Sequence, residues 1–265
     1  MPAIENIKSF AKAVLGRAPL ASRRLIVRVL NASGKQYCPI CQSNVRRFLP
    51  CGDPPRPHAI CPVCGSLERH RLDWLFFTRQ TDLFDGSPKT MLHVAPEEFL
   101  SVLFRRIRGL EYVSADLSSP DVMVRMDITQ ICCADSSFSV IYCSHVLEHI
   151  RDDRKAIAEL YRVLKSDGWA LLQVPMMAEM TYEDPSIVDP EERTKHFGQW
   201  DHVRRCGPDY AERLRAAGFA VRTLRATDLA TVSDCDRMGF QSDRLIFFCK
   251  KLSADRPLQR AVGAR

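Results

Sequence analysis

The sequence predicts an α/β protein, a parallel sheet with helices on both faces, preceded by a small cysteine-bearing module. Three observations predict it. From residue 90 onward, short apolar runs alternate with segments of helical period, the pattern of a parallel sheet. Seven runs have strand character: 90–95, 111–115, 122–126, 138–143, 169–174, 219–224 and 244–250. Ahead of them, residues 37–66 are turn-rich and hold two C-x2-C pairs. The charge divides at the same place. Residues 1–80 carry 13 Lys/Arg and 4 Asp/Glu, whereas residues 81–265 carry 25 and 28.

At 265 residues the chain has room for one large domain and a small module. Its 46% hydrophobic and 26% charged residues are ordinary for a globular protein. No apolar run approaches the ~18–20 residues of a membrane span. Glu5, Lys8 and Lys12 interrupt any apolar export segment, so the eleven cysteines are expected as thiols or metal ligands in a cytoplasmic protein. The basic first third suits either a solvated surface or an anionic partner such as nucleic acid.

Taken in order, residues 1–36 form an N-terminal helical segment. Ile4, Ile7, Phe10, Ala11, Val14 and Leu15 share one helical face, and Pro19 ends that helix. The stretch 25–30 is apolar among arginines; packing on protein is the reading preferred to peripheral membrane contact. Residues 37–72 form the module. Cys38, Cys41, Cys61 and Cys64 make C-x2-C-x19-C-x2-C, the spacing of a four-thiolate zinc ribbon. Such a closed site is structural, since no coordination position is left for substrate. "LERHRLDWLFF" (67–77) reads as a helix leading into the main body, 73–252. A helix is expected over Pro96–Arg108 and another over 153–165, capped by Asp152 or Asp153, with Ala156, Ile157, Leu160, Tyr161 and Leu164 as its apolar stripe. Residues 176–207 break the rhythm and show no clear period. Residues 253–265 read as a tail.

Four stretches then line up: "LEYVSADLS", "VRMDIT", "FSVIYCSHVLEHI" and "LYRVLKSDGWALLQVP". In this order and spacing, residues 88–250 resemble a class I S-adenosylmethionine-dependent methyltransferase of the type 11 kind. With the zinc ribbon and "YEDPSIVDPEERTKHFGQWDHVR" (182–204), the chain further resembles a bacterial group of methyltransferase-like proteins. The resemblance implies a Rossmann-like seven-stranded sheet and S-adenosylmethionine as cofactor. It implies that Asp116 accepts from the ribose hydroxyls with Leu117 flanking the adenine. Asp127 would accept from the adenine amino group with Ile128 against the ring, and Ser144 would lie at the fourth strand's end. Where the family carries an acid and a glycine turn, this chain has His93, then Ala95, Pro96 and Glu97. Ala95 is small enough to serve provided φ stays negative, Pro96 suits a first helical position, and Glu97 could meet the cofactor's amino group or sulfonium.

Histidine suits the general base of a hydroxyl methylation. The candidates are His145, His149, His196 and His202. His145, Glu148 and His149 form H-x-x-E-H in a segment expected as a short helix. Some related O-methyltransferases have E-x-x-E-H here and hold a divalent metal with it; His145 in place of the first glutamate points away from a second metal. The tract 176–207 comes where such enzymes carry a substrate lid, and its aromatic and polar residues suit a small-molecule or glycan substrate. An RNA methyltransferase whose ribbon holds RNA, and a non-catalytic scaffold, remain as alternatives.

Overall fold

The structure is a computed structural model that describes residues 27–29, 33–52 and 55–252. The expected helix over 3–16 and the tail lie outside the described residues; of the stretch 25–30, residues 27–29 are described and are helical. The chain divides into two compact units, residues 1–80 with 226–242, and residues 81–225 with 243–265.

In the first unit, β1 (Gln36–Cys38) pairs with β2 (Ser43–Val45), and β3 (Leu49–Cys51) with β4 (Arg56–Ile60), both antiparallel. The helix α1 (Glu68–Gln80) follows, matching the expected 67–77. What the alternation pattern did not show is that Ala226–Ser242, which falls between two strands of the sheet, clusters here. Arg71 explains why. It is completely buried and its guanidinium donates to the carbonyls of Ala59, Ser66, His58, Met238 and Gly239 at 2.6–3.1 Å. It also lies 3.8 Å over the Phe48 ring. A buried charge is tolerable only when its donors are spent, and two of these acceptors come from the far segment.

In the second unit, seven strands form one sheet: β5 (Lys89–Val94), β6 (Leu110–Asp116), β7 (Val124–Arg125), β8 (Phe138–Ser144), β9 (Leu164–Gln173), β12 (Ala220–Arg225) and β13 (Leu245–Lys250). Their order is β12-β13-β9-β8-β5-β6-β7, parallel except for β13, which runs antiparallel to both neighbours. The chain starts at β5, moves outward through β6 and β7, then returns to the other side of β5 as β8. The topological switch point therefore lies between β5 and β8, and ligands of open α/β sheets bind outside the strands' carboxyl ends there.

The helices are shorter than expected. α2 spans Glu98–Phe104 rather than 96–108. It ends at Arg105, and the chain reaches β6 through a turn at Gly109, at φ 78°, where a Cβ would stand 2.6 Å from the Gly86 carbonyl oxygen. α3 (Asp153–Val163) begins at Asp152, whose carboxylate accepts from the Lys155 amide. It buries Ala156, Ile157, Leu160 and Val163 against the sheet, and β9 follows without a loop.

The tract 176–207 is not structureless. β10 (Tyr182–Glu183) pairs with β11 (Arg204–Arg205), and α4 (Pro190–Phe197) stands between them. Asp189 accepts from the Glu191 and Glu192 amides, Pro190 takes the first turn, and Gly198 closes the helix at φ 85°. α5 (Tyr210–Ala216) leads to β12, and α6 (Val232–Met238) belongs to the first unit.

Candidate functional site

Residues at the carboxyl ends of four adjacent parallel strands make the candidate cofactor site. After β5 the chain turns at Ala95, whose φ is +47°, so the condition of a negative φ under which alanine replaces glycine without strain is not met. Left-handed backbone costs a residue with a Cβ about 1–2 kcal/mol. The loop keeps the bend that a glycine would give, with a methyl group in its place. After β8, across the switch point, His145 is also left-handed at φ +57°. Strain of this kind gathers where a fold holds its backbone for a ligand.

Asp116 ends β6, and its Oδ1 accepts from the Ser118 and Ser119 amides at 2.8 and 2.7 Å. Asp127 follows β7, and its Oδ1 accepts from the Thr129 amide and hydroxyl at 2.8 Å each. The amide bond holds the Asp127 carboxyl below the usual carboxylate range. Both acids therefore cap their own turns through one oxygen. Leu117 is exposed, while Ile128 sits in the apolar core. Ser144 is buried at the end of β8, opposite Gln173.

His93 is 1% exposed, beneath the turn. Its Nδ1 is 2.9 Å from the Tyr112 hydroxyl, and its ring lies 4.8 Å from that of Tyr142. Its Nε2 is 3.4 Å from Glu97, so the Glu97 carboxylate leans on the histidine. In place of an acid facing a ligand, the chain has a histidine supporting the loop from below.

The histidine candidates are only partly brought together. The segment after Ser144 is a turn and not the expected short helix, with His149 and Ile150 amides bonded to Val146 and Leu147. The reason is competition for its carbonyls. Arg204, 2% exposed, donates to the carbonyl oxygens of Leu147, Ile150 and Arg151 at 2.6–2.9 Å. The Val203 amide takes the Glu148 carbonyl at 2.9 Å. The turn wraps the fully buried Glu148 carboxylate, which lies 3.3 Å from His145 Nδ1 and 3.8 Å from His149 Nε2. His202 joins them, its ring 4.7 Å from that of His149. Burial pushes the His202 imidazole below its ordinary value. His196 packs instead beside Tyr182 and Phe197 and faces Glu192 at 3.9 Å. Sequence reasoning named Glu148 only as a motif member and Arg204 only among the polar residues of the insertion; a basic residue two positions after a candidate histidine carries little signal of its role.

In the first unit the four cysteine sulfurs all lie within 4.8 Å of one another. Cys38–Cys64 and Cys41–Cys61 stand at 3.6 and 3.8 Å. Zinc thiolates at ~2.3 Å with tetrahedral angles place sulfurs roughly 3.8 Å apart, so the donor set fits zinc.

Residues 98–172 match the family model described as a methyltransferase domain. No curated protein matches the chain. Among solved structures, the [4+2]-cyclase SpnF is 16% identical with a TM-score of 0.49, over 71% of this chain and 82% of its own. A 1,6-didemethyltoxoflavin-N1-methyltransferase from Burkholderia thailandensis, bound to its substrate and S-adenosylhomocysteine, is 15% identical with a TM-score of 0.44, over 70% and 78%. An S-adenosylmethionine-dependent methyltransferase from Mesorhizobium loti is 13% identical with a TM-score of 0.46, over 67% and 97%. Among the described residues no helix is long and apolar enough to cross a membrane.

Proposed function

We propose that this chain, whose residues 98–172 match a methyltransferase domain, is an S-adenosylmethionine-dependent methyltransferase that methylates an oxygen of a small molecule or glycan precursor in the cytoplasm. The observation that carries the cofactor assignment is the shared edge: Ala95, Asp116, Asp127 and Ser144 follow four neighbouring strands at the switch point. Bound there, the cofactor supplies a methyl group on an activated sulfonium. Asp116 keeps Oδ2 outside its turn to accept from vicinal hydroxyls, with Leu117 exposed beside it for an aromatic ring. Asp127 presents the same arrangement for an exocyclic amine. The missing glycines matter little for a ligand without phosphate, since no pyrophosphate must approach the backbone. The left-handed Ala95 provides the bend, and His93 and Glu97 support it from beneath.

For the acceptor, the histidines at the carboxyl edge are the candidates to orient a hydroxyl and receive its proton. The insertion carries Tyr182 and Trp200 partly exposed, as a face for an organic acceptor. The four cysteines hold a structural zinc that fixes the first unit.

Calorimetric titration with S-adenosylmethionine and S-adenosylhomocysteine tests this reading. Zinc-replete protein is expected to bind both, and Asp116→Ala to lose at least tenfold in affinity, about 1.4 kcal/mol. Absence of binding by the unmodified protein would reject the cofactor site.

A further inference from the structure

The geometry points to a second metal centre, a divalent transition-ion site built from Glu148, His149 and His202. One ligand atom from each lies within 4.8 Å of the others. Two histidines and a carboxylate are a set that takes iron, zinc, cobalt or manganese. Glu148 is fully buried and His202 is 6% exposed, so two of the donors come from inside the protein and not from a solvated surface.

The outer contacts argue for ligation as well. A ligating imidazole commonly gives its other N–H to a carboxylate or carbonyl, which fixes the tautomer and aims the remaining nitrogen. His149 Nδ1 is 3.2 Å from Asp201 Oδ2, which turns Nε2 toward Glu148 at 3.8 Å. His202 Nδ1 is 3.2 Å from the Phe197 carbonyl oxygen, which leaves Nε2 as its lone-pair nitrogen. Both histidines thus carry the orienting partner that a ligand needs. Arg204 and Val203 lock the turn bearing Glu148 and His149 to the strand that follows His202.

Bonds of ~2.1 Å at tetrahedral angles put ligand atoms roughly 3.4 Å apart. The Glu148–His149 separation of 3.8 Å is close to that. His145 Nδ1, 3.3 Å from Glu148, stands next to the set. Three protein ligands leave coordination positions for solvent or for an oxygen donor. The H-x-x-E-H spacing alone pointed away from a metal; His202, brought in by the insertion, changes the count.

Cobalt(II) titration of full-length protein with zinc already at the cysteines tests the site. The expected result is saturable visible d–d absorption without a thiolate charge-transfer band, lost in His149→Asn. Asp201→Asn, at a half-buried position, should weaken binding ~10- to 100-fold without abolishing it. Retained zinc and an unchanged circular dichroism spectrum show that each variant is folded. Unmodified protein without saturable cobalt bands overturns the site, as does a folded His149→Asn protein that binds cobalt like the unmodified one. Both readings are taken without S-adenosylmethionine, so they stand apart from the test of the cofactor site.

Discussion

Ala95 shows how one residue can look disqualifying in a sequence and be acceptable in a fold. Alanine replaces glycine without strain only at negative φ, and the structure gives +47°. Nothing in the Ala-Pro-Glu string marks that sign, and in the fold the Ala95 amide is held by the Ala115 carbonyl at 2.8 Å. Ala95→Gly is therefore expected to stabilise the protein by about 0.5–1 kcal/mol, the left-handed penalty less the extra chain entropy of glycine, read as a higher urea midpoint. Glu183 offers a test with a defined sign. Burial would raise its carboxyl, but hydrogen bonds from Arg213 and Arg204 outweigh this and hold it below its ordinary 4.5. A depressed folded value means stabilisation that is complete above pH 4.5 and is lost as pH falls through the folded value. Glu183→Gln should therefore flatten the acid limb of a stability–pH curve below that point. An unchanged acid limb would show that the two arginines do not favour the ionised carboxylate.

At the scale of elements, legibility followed local chemistry. β5, β8, β9 and β13 were readable because each is an apolar run with most of its residues buried, whereas the edge strands β7 and β12 are largely exposed. α3 was readable because its apolar stripe and its Asp152 cap are encoded in adjacent residues. α4 carries equally local signals, Asp189, Pro190 and Gly198, yet its mostly exposed face gives no apolar period to notice. Asp189→Ala is expected to cost about 1 kcal/mol, the usual loss of an N-cap, measured by urea denaturation. The turn at 145–150 could not be read at all. Its helical spacing is overruled by Arg204, more than fifty residues away, which takes carbonyls a helix would need. Arg204 also meets Glu183 at 3.0 Å and Asp153 at 3.5 Å. Arg204→Met should cost several kcal/mol, since it strands buried carbonyls; Asp153 keeps Tyr210 and Arg213. A loss below about 1 kcal/mol would show that the turn holds itself.

For the whole molecule, the division into units is the feature least visible in the chain. The sequence alternates β and α through 226–242, and nothing local marks those residues as belonging with the cysteines. Their membership rests on long-range contacts. Arg71 joins Ala59 and Ser66, close to the cysteine pairs, to Met238 and Gly239. Gly239 itself leaves no room for a side chain, a Cβ there standing 2.5 Å from the Phe48 ring. The zinc proposed at the cysteines would fix the same small core as the arginine, so removing either should loosen the same residues. Chelation of zinc is expected to speed amide exchange in 36–66 and, with it, in 232–240, although 232–240 holds none of the four cysteines. Arg71→Met should reproduce the pattern with the metal still bound, at a cost of roughly 3 kcal/mol or more from the stranded carbonyls. Hydrogen exchange read by mass spectrometry separates the outcomes. Exchange that rises in 36–66 alone would mean that 226–242 is held by its own packing, and that the cysteine site organises only the hairpins around it.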